Sequence, residues 1–172
     1  GLNSAYAQPQ NLGVDRWLAM LALWVRSKHG FLLVDSGTAL TLDVVDCQGK
    51  HLGGYILPGF DIQRRTLLDT SETLNALANK TPGELFEGSI DLGCSTPEAI
   101  GHGILASAVA LIEKLMKNAA LSWDSLVFTG GSAAQLQQAM NQGRLEDDLV
   151  MQGLSLAYAQ EQAQTGMDLN KI

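Results

Sequence analysis

The chain has 172 residues, 46% of them hydrophobic and 17% charged, which suits one domain or two small lobes around a real core. A formal net charge of -7 argues against a general nucleic-acid binder, which needs a basic face, but leaves room for a local cationic pocket that takes a small anion. Cys47 and Cys94 form no CxxC pair and His29, His51 and His102 are scattered, so neither zinc nor a disulfide framework is indicated; all five read as packing or surface residues, and free thiols fit a reducing cytosol.

Residues 1–13 are turn-rich, with Asn3, Ser4, Pro9, Asn11 and Gly13. There is no initial Met, and "GLNSAYAQPQNLG" reads as a loop, so a fragment or cleaved product is expected. Val14, Trp17, Leu18, Leu21, Trp24 and Val25 then recur at helical spacing and end at Gly30, after Lys28 and His29. The apolar run 17–25 is too short to span a bilayer. Strands are predicted at Phe31–Val34, Ala39–Val45 and Leu52–Leu57, joined by the turns Asp35-Ser36-Gly37 and Gln48-Gly49, which makes an antiparallel meander. A helix is expected over 60–79, carrying Ile62, Leu67, Leu68, Leu74 and Leu77, and a loop over 80–95 with Pro82, Gly83, Gly88 and Gly93. Thr96 is placed as N-cap, with Pro97 the first residue of a helix to about Asn118. "SLVFTGG" (125–131) reads as a strand into a glycine turn, 132–141 as a helix, "DLVMQG" (148–153) as a short last strand and "LSLAYAQEQAQ" as the last helix. This order implies an α/β fold: a mixed sheet whose antiparallel three-strand meander is extended by crossover connections, with flanking helices. The ribonuclease-H-like fold, the repeated unit of actin-like kinases, has that order.

Four stretches carry candidate chemistry. In "VDSGTALTLDV" (34–44) a glycine turn exposes backbone N–H groups to an anion, Gly37 allows close approach of a phosphate, Thr38 adds a hydroxyl, and Asp35 can hold a cation beside it; a plain hairpin turn begun by Asp is the other reading. Gly53-Gly54 inside "HLGGYILPG" marks a close backbone contact, with a ligand or with packing. "FTGG" (128–131) can admit a phosphate at a helix N-terminus. Asp15-Arg16 can be ordinary helix-end charges, or a base and an anion fork.

"LGVDRWLA", "VDSGTALTLDV", "HLGGYILPG", "STPEAI" and "FTGG" occur in the order, and with spacings comparable to those, of type III pantothenate kinases, and the chain resembles that family over essentially its whole length. The resemblance implies an actin-like kinase that phosphorylates pantothenate with ATP, the first step of coenzyme A synthesis, as a cytoplasmic homodimer needing Mg2+ and a monovalent cation, K+ or NH4+. Carried onto this sequence, it implies Asp15 as catalytic base, with Gly13, Val14, Asp15 and Arg16 on pantothenate and Arg16 on its carboxylate or phosphate side. Tyr6 would be a substrate-contacting tyrosine. Asp35 would bind the monovalent cation and Thr38 the ATP phosphates. Thr96 would reach pantothenate across the dimer interface, and Gly130-Gly131 would lie on the adenosine side.

One family element has no counterpart here, the strand-turn-strand with an Asp-x-Gly-Asn-Thr phosphate loop. "DLGCST" (91–96) has the Asp-x-Gly spacing, but only Ile90 before it is strand-like. The expected organisation is a linker and helix over 1–30 and the C-terminal kinase lobe over 31–172, with little or no kinase activity in these 172 residues alone. The rival expectations are a non-catalytic dimerising accessory module, as the family label Bvg accessory factor suggests, and another actin-like small-molecule kinase. Neither nucleic acid nor membrane is an expected partner.

Overall fold

The computed structural model describes residues 1–78 and 89–165. Helix α1 (Val14–Ser27) leads into β1 (Phe31–Ser36), β2 (Ala39–Val45) and β3 (His51–Pro58). Helices α2 (Phe60–Asp69), α3 (Glu72–Ala78) and α4 (Thr96–Met116) follow, then β4 (Ser125–Thr129), α5 (Ala133–Met140), β5 (Arg144–Leu145) and α6 (Leu149–Thr165). The five strands form one sheet in the order β3-β2-β1-β4-β5. Its first three strands are the antiparallel meander, and β4 joins β1, and β5 joins β4, in parallel. Turns of a few residues can only return a strand antiparallel, so the parallel strands enter after helical crossovers.

Alternation along the strands divides the core in two. Leu32, Val34, Leu40, Leu42 and Phe128 face Ile104, Leu105 and Ile112 of α4 and Leu136 of α5. Phe31, Leu33, Val45 and Val127 face Ala19, Met20 and Leu23 of α1 and Leu149 of α6. The same period carries Asp35 and Asp43 onto the α1 face, two carboxylates among apolar neighbours. Behind it, α1 and α6 cross so closely that a Cβ on Gly153 would collide with the Leu18 backbone. Asn3 donates its backbone N–H to Gly49 and accepts one from His51, at 2.9 and 2.8 Å, which ties the N-terminal segment to the start of β3. Among the described residues α4 alone is long and apolar enough to cross a bilayer, and its apolar stripe is spent on the sheet.

Three elements differ from the sequence reading. The helix expected over 60–79 is two helices, because the Ser71 hydroxyl accepts the Leu74 N–H and starts a new one; Asn79, with Pro82, Gly83 and Gly88, lies outside the described residues. The N-cap of α4 is Ser95, whose hydroxyl accepts the Glu98 N–H, while Glu98 reaches back to the Cys94 N–H at 2.8 Å; Thr96 is the first helical residue. Residues 148–153 are not a strand but the start of α6: Asp148 accepts the Gln152 N–H, and Leu149 and Gly153, four apart, are both buried. The last strand is the short β5.

Candidate active site

Helix α1 begins at Gly13, which has no side chain with which to cap it. Asp15 does that work: its carboxylate accepts the Arg16 N–H at 2.8 Å while staying exposed to solvent. Acidic charge belongs at a helix N-terminus, so the cap and an accessible carboxylate coexist in one residue. Asp35, next to last in β1, is on the same sheet face, and a Cβ on Gly130 would stand only 2.6 Å from its carboxylate. Burial raises the Asp35 pKa first, and the charges of Asp15 and Asp43 raise it further. Among the described residues no hydrogen bond or ion pair to protein reaches it.

The Gly37–Thr38 turn between β1 and β2 is exposed and held in shape from both sides: Gly37 donates to the Ala39 carbonyl, and Gly59 donates to that of Thr38. Gly131 and Ser132 face it from the β4–α5 turn, where the Ser132 N–H donates to Ser36 at 3.0 Å. Together these turns line a hollow of about 400 Å³ that also receives Asp61 and Arg65 of α2. Backbone amides, a hydroxyl, a helix N-terminus and a guanidinium around one hollow suit a polyphosphate. Gly130-Gly131 is therefore beside Asp35 and the phosphate-type turn.

Arg16 points inward and is only 7% exposed. Its Nε and Nη2 donate to the two oxygens of Asp43 at 2.9 and 2.5 Å, and Nη1 donates to the Tyr6 hydroxyl at 3.0 Å. His51, fully buried, meets Asp43 Oδ1 through Nε2 at 2.8 Å, and the Tyr6 ring stacks on it with centroids 6.2 Å apart. Burial alone would push the Asp43 carboxyl up, but hydrogen bonds from His51 and Arg16 outweigh it and hold the carboxyl below the usual range. The bond to Asp43 raises the Arg16 pKa against the opposing effect of burial. The pair also answers the question of Gly53-Gly54. Gly54 lies opposite Asp43 in the β2–β3 ladder, and a Cβ there would stand 2.6 Å from the Asp43 carboxylate and 3.1 Å from Arg16. The nearest atom of all is the Leu42 carbonyl oxygen, so the close contact is with the β2 backbone first and with this ion pair second.

Of the expected site residues, Tyr6 bonds to Arg16, Asp15 holds the Arg16 N–H, Asp35 lies against Gly37 and Gly130, Thr38 and Gly131 line the hollow, and Val14 is 71% exposed. Thr96 is elsewhere, in a separate groove of about 440 Å³ with Leu67, Leu74, Ile100 and Gly103. Sequence reasoning passed over Asp43, His51 and Arg65. The signal for Asp43 was visible: a carboxylate in mid-strand, in phase with the buried Val45.

A family model for type III pantothenate kinase matches residues 1–118. The chain belongs to the type III pantothenate kinase family. Type III pantothenate kinases of Cellvibrio japonicus and Marinobacter nauticus are 40% and 37% identical to it, over 92% and 90% of this chain. It spans 62% of the length of each. A crystal structure from Campylobacter jejuni, described as that of a Baf family transcriptional activator, aligns with 94% of the chain at a TM-score of 0.65 and 23% identity, covering 69% of that protein, and so shares the fold. The motif order expected of a type III pantothenate kinase is thus carried on a mixed five-stranded α/β sheet.

Proposed function

We propose that this chain carries the acceptor-binding and base-bearing part of an enzyme that phosphorylates pantothenate to 4'-phosphopantothenate with ATP, the first step of coenzyme A biosynthesis. The observation that supports this best is the convergence of Asp15 and Asp35 beside the Gly37–Thr38 turn, in a chain of this family. The accessible Asp15 carboxylate takes the proton of the primary hydroxyl as that oxygen attacks the γ-phosphorus. A new O–P bond forms, the bond from the γ-phosphorus to the bridging oxygen breaks, and ADP leaves with the electron pair. Thr38, the amides of the Gly37 turn and Arg65 neutralise and orient the phosphates. Gly130-Gly131 bounds the nucleotide toward its adenosine.

Asp35 fits a monovalent cation. It is a half-buried hard-oxygen donor without a protein cation against it, and among the described residues no three His, Cys, Asp or Glu side chains cluster as a transition-metal cage. A cation there would relieve the burial that raises the carboxyl, and Mg2+ would accompany the ATP phosphates. The active unit is a cytoplasmic homodimer in which Thr96 serves the partner's acceptor pocket, with residues 1–30 as a helix-bearing linker and 31–172 as the C-terminal lobe.

The test is a substrate screen with ATP and the full-length gene product, offering pantothenate, acetate, butyrate and hexoses. Pantothenate is the expected acceptor, and a hexose or a short acid as best substrate would refute the proposal. A purely accessory role, which the name of the Campylobacter relative brings to mind, would leave every acceptor unphosphorylated.

A further inference from the structure

Arg16, Asp43 and His51 are 7%, 1% and 0% exposed, the deepest ionisable group among the described residues. Burying such a group is a weak way to gain stability, since apolar side chains of equal volume often do as well. Its arrangement suggests another use. The two oxygens of Asp43 grip Arg16 side-on, through Nε and Nη2, which fixes the plane of the guanidinium as well as its place. Asp43 is fixed in turn by His51 Nε2, and His51 by the bond from its backbone N–H to the Asn3 carbonyl. The other ring nitrogen of His51, Nδ1, is buried and has no hydrogen-bond partner. A guanidinium has five N–H donors and three are used, so one remains on Nη1 and one on Nη2. The Tyr6 hydroxyl accepts from Arg16, so its own proton is free to be donated. Gly54 leaves the room this packing needs.

We propose that Asp43 and His51 are positioning residues for the acceptor substrate: they hold Arg16 in one orientation, so that its two spare N–H groups and the Tyr6 O–H form a preset donor array for the acceptor's oxygens. Asp15, the residue before Arg16, is thereby kept at the acceptor's hydroxyl. Neither Asp43 nor His51 touches the acceptor. The proposal rests on the kinase reading above and adds the basis of acceptor affinity.

The test is steady-state kinetics of the full-length protein, varying pantothenate and ATP separately, with ¹⁵N NMR of the Arg16 Nε–H group in the 172-residue chain. Asp43→Asn keeps one acceptor oxygen but sets an NH2 against the guanidinium. It should raise the pantothenate KM on the order of 10- to 100-fold, as a misplaced clamp does, and leave the ATP KM within about twofold. His51→Gln, which can still donate to Asp43, should retain more acceptor affinity than His51→Leu. The Arg16 Nε–H signal, slow to exchange in the wild type, should shift or broaden in Asp43→Asn and His51→Leu. If Asp43→Asn does not fold, His51→Gln and His51→Leu take its place, with the same expected split between the two KM values in His51→Leu. A folded variant whose pantothenate KM stays near wild type, or whose ATP KM rises equally, overturns the proposal and leaves the kinase reading intact. A wild type with an intact Arg16 signal but no pantothenate turnover overturns both.

Discussion

Asp35 and Asp43 share one face of the sheet on adjacent strands, yet their surroundings pull them in opposite directions. Asp35 has its folded-state pKa raised, so its ionisation opposes folding: stability falls as pH rises through the unfolded value and levels off above the folded one. Asp35→Asn should therefore raise Tm at neutral pH, by a margin that shrinks as the pH is lowered. Potassium should stabilise the wild type and not the variant, as thermal melts in potassium and choline buffers would read. A variant that melts below wild type at neutral pH would contradict this. Asp43 has its folded pKa lowered, so its contribution is present above the unfolded value and lost as pH falls through the folded one. Asp43→Asn leaves Arg16 buried without its counter-ion, a loss on the order of 3–5 kcal/mol that denaturant unfolding would measure. The two carboxylates also differ in how legible they were. Asp35 stands at a strand end before a glycine turn, where a charge is conspicuous. Asp43 is one acid in an apolar strand, and its partner is 27 residues away in the chain. Only the fold brings them together.

At the scale of elements, local signals served wherever one segment decides its own structure. The meander, α1, α4 and the strand before Gly130 follow from periodicity and turn residues. The misreadings lie where distant packing or a cap one residue away decides. "DLVMQG" is a short apolar run with no period of its own, and it is helical because Leu149 and Gly153 lie against α1. The break at Thr70–Ser71 and the cap at Ser95 are both serine hydroxyls taking a backbone N–H three residues on. Two variants test this level. Ser95→Ala should cost about 1 kcal/mol. Gly153→Leu should cost about 1–3 kcal/mol through overpacking at the α1–α6 crossing. A neutral Gly153→Leu in thermal melts would mean that the crossing is not as close as described.

For the molecule as a whole, Thr96 is the informative residue. It lies in a groove apart from Asp15 and Asp35, so no acceptor contact by this residue within the same chain is evident. If it serves a partner's site, Asp15→Asn and Thr96→Ala subunits are each inactive alone but complement when mixed, because one site of the mixed dimer is intact. Random exchange in full-length protein should restore about a quarter of the wild-type rate; no recovery after proven subunit exchange would place Thr96 outside the site. The 172 residues alone, spanning 62% of the compared kinases, are expected to turn over little or not at all.

That Asp15 is the base of a pantothenate kinase as well as a helix cap is tested most directly by 4'-phosphopantothenate formation from ATP and pantothenate in full-length wild type and Asp15→Asn. Asn preserves the helix-start hydrogen bond, so the melting temperature should be unchanged and the rate lower by about 10²- to 10⁴-fold. A folded Asp15→Asn enzyme that works at the wild-type rate would contradict it.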